Sequence, residues 1–426
     1  VILTKASLAS LCEEIPLDLL PQSNQDAIRI TRHFGIKYIW IDALCILQDL
    51  DDVSDWLRES SRMGDIYKFA YLTISASQAS TGKEGCFAER QPLEARFVQS
   101  CSTTRTTSTY RQPKVHPDIV IRTLQTDLWA TEVDASPLSR RAWTLQERLL
   151  STRVLHFTRG QLFWECQLGK ACETSPYLEL KSPHDPPDEI ISEASRSVRQ
   201  LDGVALTPLE DHWEELVEIY TDAHLTRPED KLVAISSLAK EVQQRTKDHY
   251  YAGLWCNSFA RDLLYRLEIP QQPPSFNYRA PSWSWASVTG KVNFICKRQN
   301  HASPASTIQS IWTLGSDGKR GSIGQIKDAS FDISAPTAEI LRYEKWGNIY
   351  RLVLTEEPSD SIEFFPDTMT KIFPKDAICL PILFYSEARM GSENKSLSFL
   401  AGLVVHPTGD FRDEYCRLGV FRMSER

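Results

Sequence analysis

No apolar run in the 426 residues reaches the ~18 consecutive positions that a membrane-spanning helix needs. The opening Val1-Ile-Leu-Thr-Lys-Ala6 is briefly apolar but has no basic flank, so it does not read as a secretory signal. It lacks an initiator Met, which reads as a trimmed or partial chain. The ten cysteines never form a Cys-x-x-Cys pair, which removes the usual signature of a zinc knuckle or a redox dithiol. Several of them sit in apolar runs, where reduced thiols behave as small core residues, and a cytoplasmic location follows as the expectation. An excess of positive charge is also absent: 48 Lys and Arg face 56 Asp and Glu, for a net charge of -8. That argues against a nucleic-acid partner. There is no internal repeat, Gly-rich phosphate loop, Gly-x-Ser-x-Gly elbow or His-Glu-x-x-His zinc motif.

What is present is the balance of a folded protein, with 42% hydrophobic and 24% charged residues. Eleven Trp make aromatic packing prominent. The length fits two or three domains. Residues 22–35 read as a helix that stops at Gly35. Tyr38-Ile-Trp-Ile-Asp-Ala-Leu-Cys-Ile-Leu47 is almost wholly apolar and predicts a strand buried on both faces of a parallel sheet. After an acidic stretch at 49–52, Trp56, Ser60, Met63, Tyr67 and Ala70 recur at helical spacing from Ser54 onward. Tyr71-Leu-Thr-Ile-Ser-Ala76 is a second β-prone run, so strand, helix and strand predict a βαβ unit. Gly82 and Gly85 mark a loop, and the Ser/Thr-rich stretch 100–109 reads as a mobile or edge segment.

Residues 139–151 read as a short helix, followed by a hairpin of 153–157 and 161–165 around Arg159-Gly160. The Pro-rich stretch 181–188 reads as a linker. Thr207-Pro-Leu-Glu210 is a capping box ahead of Trp213, Leu216, Val217 and Tyr220, and Thr226-Arg-Pro-Glu229 is a second helix start. Beyond Pro270, β-prone runs at 330–335, 349–354, 378–385, 397–405 and 415–422 predict an antiparallel region. The expected organisation is α/β: a mainly parallel sheet with flanking helices in 1–180, a helical section in 190–268 and a β-rich C-terminal domain in 278–426.

Several segments resemble the fungal heterokaryon-incompatibility (HET) domain family in order and spacing. They are Gly35-Ile-Lys-Tyr-Ile-Trp-Ile-Asp-Ala-Leu-Cys-Ile-Leu-Gln-Asp49, Asp55-Trp56, Arg62-Met-Gly-Asp-Ile-Tyr67, Ser139-Arg-Arg-Ala-Trp-Thr-Leu-Gln-Glu-Arg-Leu-Leu-Ser151 and Phe163-Trp-Glu-Cys166. Looser likenesses are Asp230-Lys-Leu-Val-Ala-Ile235, Ala252-Gly-Leu-Trp255 and Ala280-Pro-Ser-Trp-Ser-Trp-Ala286. The segment that usually precedes the family's first helix is missing or short, and no P-loop or repeat array follows. The resemblance implies a role in self/non-self recognition and cell death, and a core distantly related to TIR domains. It further implies self-association in the TIR manner, or cleavage of NAD as a substrate by a glutamate that follows a Trp by four residues.

Trp143 and Glu147 have that spacing and would share a helical face. A carboxylate there could stabilise charge developing on a ribose, and Arg140 or Arg141 could hold a pyrophosphate. The competing reading has Trp143 in the core and Glu147 paired with an arginine. Asp42 interrupts an apolar run. At the C-terminal end of a parallel strand it would stand at a ligand site, and otherwise it would organise a loop. Cys45, Cys166 and His156 permit a thiol–imidazole pair, although Cys45 reads first as a core thiol. Trp283 and Trp285 alternate and would face one side of an extended segment, either as packing or as the wall of a pocket for a flat ligand. Glu147 and Asp42 are therefore the catalytic candidates. Trp143, Arg140, Arg141, Cys45, Trp164, Trp283 and Trp285 are the candidates for binding substrate, and no metal site is expected. Two other functions fit the same sequence: an enzyme acting on a small secondary metabolite, which a large aromatic-lined pocket between the first and C-terminal domains would favour, and a non-catalytic interaction module.

Overall fold

The structure is a computed structural model that describes residues 1–49, 51–89, 128–166, 169–179, 209–272, 278–346, 349–355, 361–369, 373–388 and 396–424. The N-terminal part holds helices α1 (Leu8–Glu13), α2 (Gln22–His33), α3 (Asp42–Cys45), α4 (Ser54–Ser60), α5 (Met63–Phe69) and α6 (Ala142–Leu150). Its sheet runs β1 (Thr73–Ser75), β2 (Arg153–Phe157), β3 (Leu162–Cys166), β4 (Gly169–Cys172) and β5 (Ser175–Glu179), in that spatial order. Helix α2 ends as expected at Gly35, whose φ of 68° only glycine adopts without strain. The hairpin expected around Arg159-Gly160 forms as β2 and β3.

The sheet is mixed rather than mainly parallel. Only β1 and β2 pair in parallel, and every other pair among the described strands is antiparallel. The expected βαβ unit does not form, because the run Tyr38–Leu47 is not a strand. Residues 36–41 are irregular, Tyr38 is 87% exposed, and Asp42 opens one turn of helix. Local hydrogen bonds explain the switch: Leu44 and Cys45 donate to the Ile41 carbonyl, and Ala43 donates to Asp42 Oδ1 at 2.7 Å. Cys45 is accordingly exposed, not a core thiol. The helix expected from Ser54 is broken at Ser61-Arg62 into α4 and α5, and the restart buries Met63 and Gly64.

The middle section holds α7 (Trp213–Asp222), α8 (Ser236–Thr246) and α9 (Phe259–Asp262), with short pairs β6 (Tyr250–Tyr251) with β7 (Leu254–Trp255) and β8 (Tyr265–Leu267) with β9 (Val292–Phe294). Thr207 of the capping box, the stretch 100–109 and the Pro-rich stretch 181–188 lie outside the described residues. The antiparallel C-terminal region forms as expected. It consists of β10 (His301–Pro304), β13 (Ala338–Glu339), β14 (Arg342–Trp346), β15 (Ile349–Val353), β16 (Ser361–Pro366), β17 (Ile378–Ala388), β18 (Ser396–Pro407) and β19 (Tyr415–Ser424) in one sheet. Beside it stands the hairpin of β11 (Thr307–Gly315) and β12 (Ile326–Ser334).

One core joins these parts. Leu149 of α6, Leu216 of α7 and Leu238 of α8 belong to the same buried cluster as Tyr265, Trp285, Ile382 of β17 and Val420 of β19. Trp283 and Trp285 are part of it, and they do not sit on an extended segment: residues 285–287 form a 3-10 turn. Trp285 donates its indole N–H to the Gly253 carbonyl at 3.0 Å, and Trp283 meets Phe259 and Phe331 edge-on. A second cluster, with Leu352, Phe364, Val404 and Phe421, belongs to the large sheet.

Candidate active-site cavity

The site is built where β1, β2, α5 and α6 meet. The parallel register sets Thr73 against Val154 and Ser75 against His156. Along β2 and β3 the buried positions are Val154, His156, Phe157, Phe163 and Glu165, so two polar groups stand among apolar ones. Helix α6 buries Leu145, Leu149 and Leu150, and its Arg148 reaches Glu165 of β3. Helix α5 packs close to α8 and α6 because Gly64 has no side chain: a Cβ there would lie 2.4 Å from Ser237 Cβ and 3.2 Å from Leu150 Cδ1. That approach brings Tyr67 to Glu147. A cavity of about 130 Å³ remains, lined among others by Tyr67, Ser75, Arg141, Glu147, Arg148 and His156.

Glu147 is partly buried, and the Tyr67 hydroxyl donates to its carboxylate. Burial and then the nearby Asp42 charge raise its pKa to about 7, against a lowering pull from Arg141 and Tyr67. The acid therefore changes protonation state around neutrality, which is the property expected of a group that handles charge or protons in a reaction. Burial, and next the Glu147 charge, hold the Tyr67 hydroxyl well above its ordinary range, so it stays a donor.

Beneath Glu147 lies a buried polar network. Arg148 Nε donates to Glu165 Oε2 at 2.8 Å, and its Nη1 donates to Asp134. Burial works against the guanidinium charge, but Glu165 and Asp134 outweigh it and raise its pKa further. His156 lies 3.3 Å from Glu165 Oε2 through Nε2 and 3.3 Å from Ser77 Oγ through Nδ1. Burial lowers its pKa, so the ring is neutral at pH 7. The edge of Trp129 closes over His156 and Phe163.

A groove of about 600 Å³ adjoins the cavity and shares Tyr67, Thr73 and Ile74 with it. Ile36, Trp40, Asp42, Phe69 and Tyr71 line its walls. Its existence follows from the missing strand, since the free edge of β1 faces an unpaired segment.

Of the residues singled out in the sequence, Glu147 and Arg141 line the cavity, and Asp42, exposed on the first turn of α3, lines the groove. Trp143 lines neither: its ring meets Trp56 edge-on and its indole N–H donates to Asp230. Arg140 is exposed, and its carbonyl accepts the His224 N–H at 2.6 Å. Trp164 is on the other face of the sheet, at a hollow shared with Cys172. Cys45, Trp283 and Trp285 line neither cavity nor groove. His156 has Ser77 and Glu165 as partners instead of a thiol. Sequence reasoning passed over Tyr67, Ser75 and Arg148 as site residues. The available signal was the pair His156 and Glu165, polar at positions where the alternation calls for apolar side chains. Among the described residues no group of three or more His, Cys, Asp or Glu could hold a metal, and no helix is long and apolar enough to cross a membrane.

Residues 5–147 match the family model described as Heterokaryon incompatibility protein (HET). No curated protein and no solved structure matches the chain.

Proposed function

Residues 5–147 match the heterokaryon-incompatibility (HET) family model, and from that likeness we propose that the chain is an incompatibility-type effector that cleaves NAD with Glu147. The observation that carries this reading is a carboxyl on a small cavity, raised to a pKa of about 7, held by Tyr67 and flanked by Arg141. The cavity alone is smaller than the ~300 Å³ at which small-molecule sites usually begin. It suits one end of a ligand, with the remainder along the adjoining groove. In that pose the Glu147 carboxylate faces the ribose carbon that becomes positive as nicotinamide departs, and water then captures the cation. Tyr67 fixes the carboxylate, Arg141 supplies a cation for a phosphate, and Asp42 sits on the groove wall.

The small-metabolite reading calls for a large pocket between the first and C-terminal parts. The cleft of about 820 Å³ lies instead between α8, α9 and the strands β10 and β11, lined by Tyr251, Trp255 and Phe259. The test is nicotinamide release from NAD by the purified protein over a range of concentrations, since the TIR resemblance makes assembly part of the proposal. Glu147→Gln is expected to lower the rate by at least ~100-fold, the scale on which charge-stabilising groups act. No release from folded, concentrated wild type would overturn the NAD reading.

A further inference from the structure

The cavity holds a second set of reactive groups that the proposed NAD chemistry does not use. Ser75 ends β1, at the C-terminal edge of the parallel pair, where α/β sheets place their ligand sites. Its side chain lines the cavity, and its Oγ lies 2.9 Å from Ser77 Oγ. Ser77 Oγ lies 3.3 Å from His156 Nδ1, and His156 Nε2 lies 3.3 Å from Glu165 Oε2. Ser77, His156 and Glu165 are 1%, 2% and 2% exposed, so water does not compete for these bonds.

The direction of every proton in this chain follows from the last link. Arg148 Nε donates to Glu165 Oε2 at 2.8 Å, and a carboxylate paired with a guanidinium only accepts. His156 must therefore donate from Nε2. A neutral imidazole with its proton on Nε2 accepts at Nδ1, so the Ser77 hydroxyl donates to it. A hydroxyl has one proton, so Ser77 Oγ in turn accepts from the Ser75 hydroxyl. The Ser75 proton points into the protein and its lone pairs are left for the cavity.

From this directed chain we infer that Ser75 is a nucleophile, activated through Ser77 by His156, that reacts with small acyl esters entering the cavity. Ser75 Oγ bonds to the ester carbonyl carbon while its proton passes to Ser77 Oγ, which gives its own proton to His156 Nδ1. The imidazolium so formed is flanked by the Glu165 carboxylate. Arg141, on the same cavity, is the cation available to the oxyanion. Collapse breaks the bond to the ester oxygen, the proton returns along the chain to that leaving alkoxide, and an alcohol departs from acyl-Ser75. The small cavity restricts the acyl group to a few carbons. Ser75 is the residue that touches substrate, whereas Ser77 and His156 position and relay. Because their role does not depend on Glu147, the inference stands apart from the NAD reading.

The test uses the full chain with an alkyl fluorophosphonate and with p-nitrophenyl acetate. The phosphonate forms the Ser75 Oγ–P bond and expels fluoride, and peptide mass spectrometry locates it. Expected results are one modified site at Ser75, its loss in Ser75→Ala, and labelling at least tenfold slower in Ser77→Ala. Both variants are checked for wild-type unfolding transitions, since the serines are small and Ala fits their space. The groups facing His156 are Ser77, Glu165, Arg148, Asp134 and Trp129, and Arg148 disfavours its protonation. Followed in Glu147→Gln, so that the other cavity acid does not titrate, labelling is expected to fall in acid as His156 takes a proton, a dependence that adding Ser77→Ala removes. Failure of the folded wild type to label, labelling that survives Ser75→Ala, or an unchanged rate in Ser77→Ala would each overturn the inference. Nicotinamide release measured on the same wild-type sample decides the NAD reading separately.

Discussion

At the scale of single residues, Glu147 links stability to pH in a direction opposite to most paired carboxylates. Its pKa in the folded chain, about 7, lies above the ordinary 4.5. The folded protein therefore holds this proton between pH 4.5 and 7 while the unfolded chain releases it, and stability falls as pH rises through that window. At pH 8 the cost amounts to about 3 kcal/mol, and below pH 4.5 it vanishes. Glu147→Gln is thus expected to unfold at higher urea than wild type at pH 8 and at the same urea at pH 4. Equal midpoints at pH 8 would show that the carboxyl is not held in this environment. Activity should run the other way, rising through pH 7 as the carboxylate forms. Arg148 presents the opposite case, being buried between Glu165 and Asp134. Arg148→Met removes the buried cation shared by Glu165 and Asp134 and is expected to cost about 3–5 kcal/mol in urea unfolding.

At the scale of elements, the position of α5 decides whether Tyr67 reaches Glu147. Gly64 sets that position, since a Cβ would meet Ser237 Cβ at 2.4 Å and Leu150 Cδ1 at 3.2 Å. Gly64→Ala is expected to destabilise by about 1–3 kcal/mol and to move Tyr67 away from the carboxyl. Titration of Glu147 in that variant, followed by NMR, should show a changed midpoint. An unchanged midpoint with unchanged stability would mean that α5 does not need the close approach. Local pattern made α2, α7, the β2–β3 hairpin and the C-terminal strands legible, because each shows a clear period and a clear stop. The same reasoning failed on Tyr38–Leu47. An apolar run states only that a segment is β-prone, and a strand also needs a neighbouring edge. Here Asp42 and Ile41 satisfy their backbone partners within one helical turn.

At the scale of the molecule, the helical middle and the C-terminal sheet share one core from Leu149 to Val420. Arg417 of β19 ties them further: Nε donates to Asp367 Oδ2 at 2.8 Å, and Nη1 and Nη2 donate to the Leu263 and Tyr265 carbonyls, each at 2.6 Å. A chain ending after residue 296 would strip Phe331 from Phe259 and Trp283, and Arg417 from Tyr265. It is expected to unfold without a cooperative transition by circular dichroism, whereas the full chain is expected to show one. A cooperative transition in that fragment would show that the middle section folds without the sheet. The N-terminal region leans on the same core through α6, whose Ala142, Leu145, Leu149 and Leu150 are members of it, so the cavity depends on residues far along the chain.

The sequence by itself carried a family resemblance, most of the elements and a candidate carboxyl. Those properties reside in local order, in period and spacing, which a linear chain carries in full. Tertiary structure alone decided that the sheet is mixed, that a groove takes the place of a strand, and that Trp143 faces Trp56 instead of the cavity. It also decided that Ser75, Ser77, His156 and Glu165 form one directed chain, since parallel pairing of β1 with β2 joins residues about eighty positions apart. No spacing rule in the sequence records that register, because it is set by which strand edges happen to meet when the core closes.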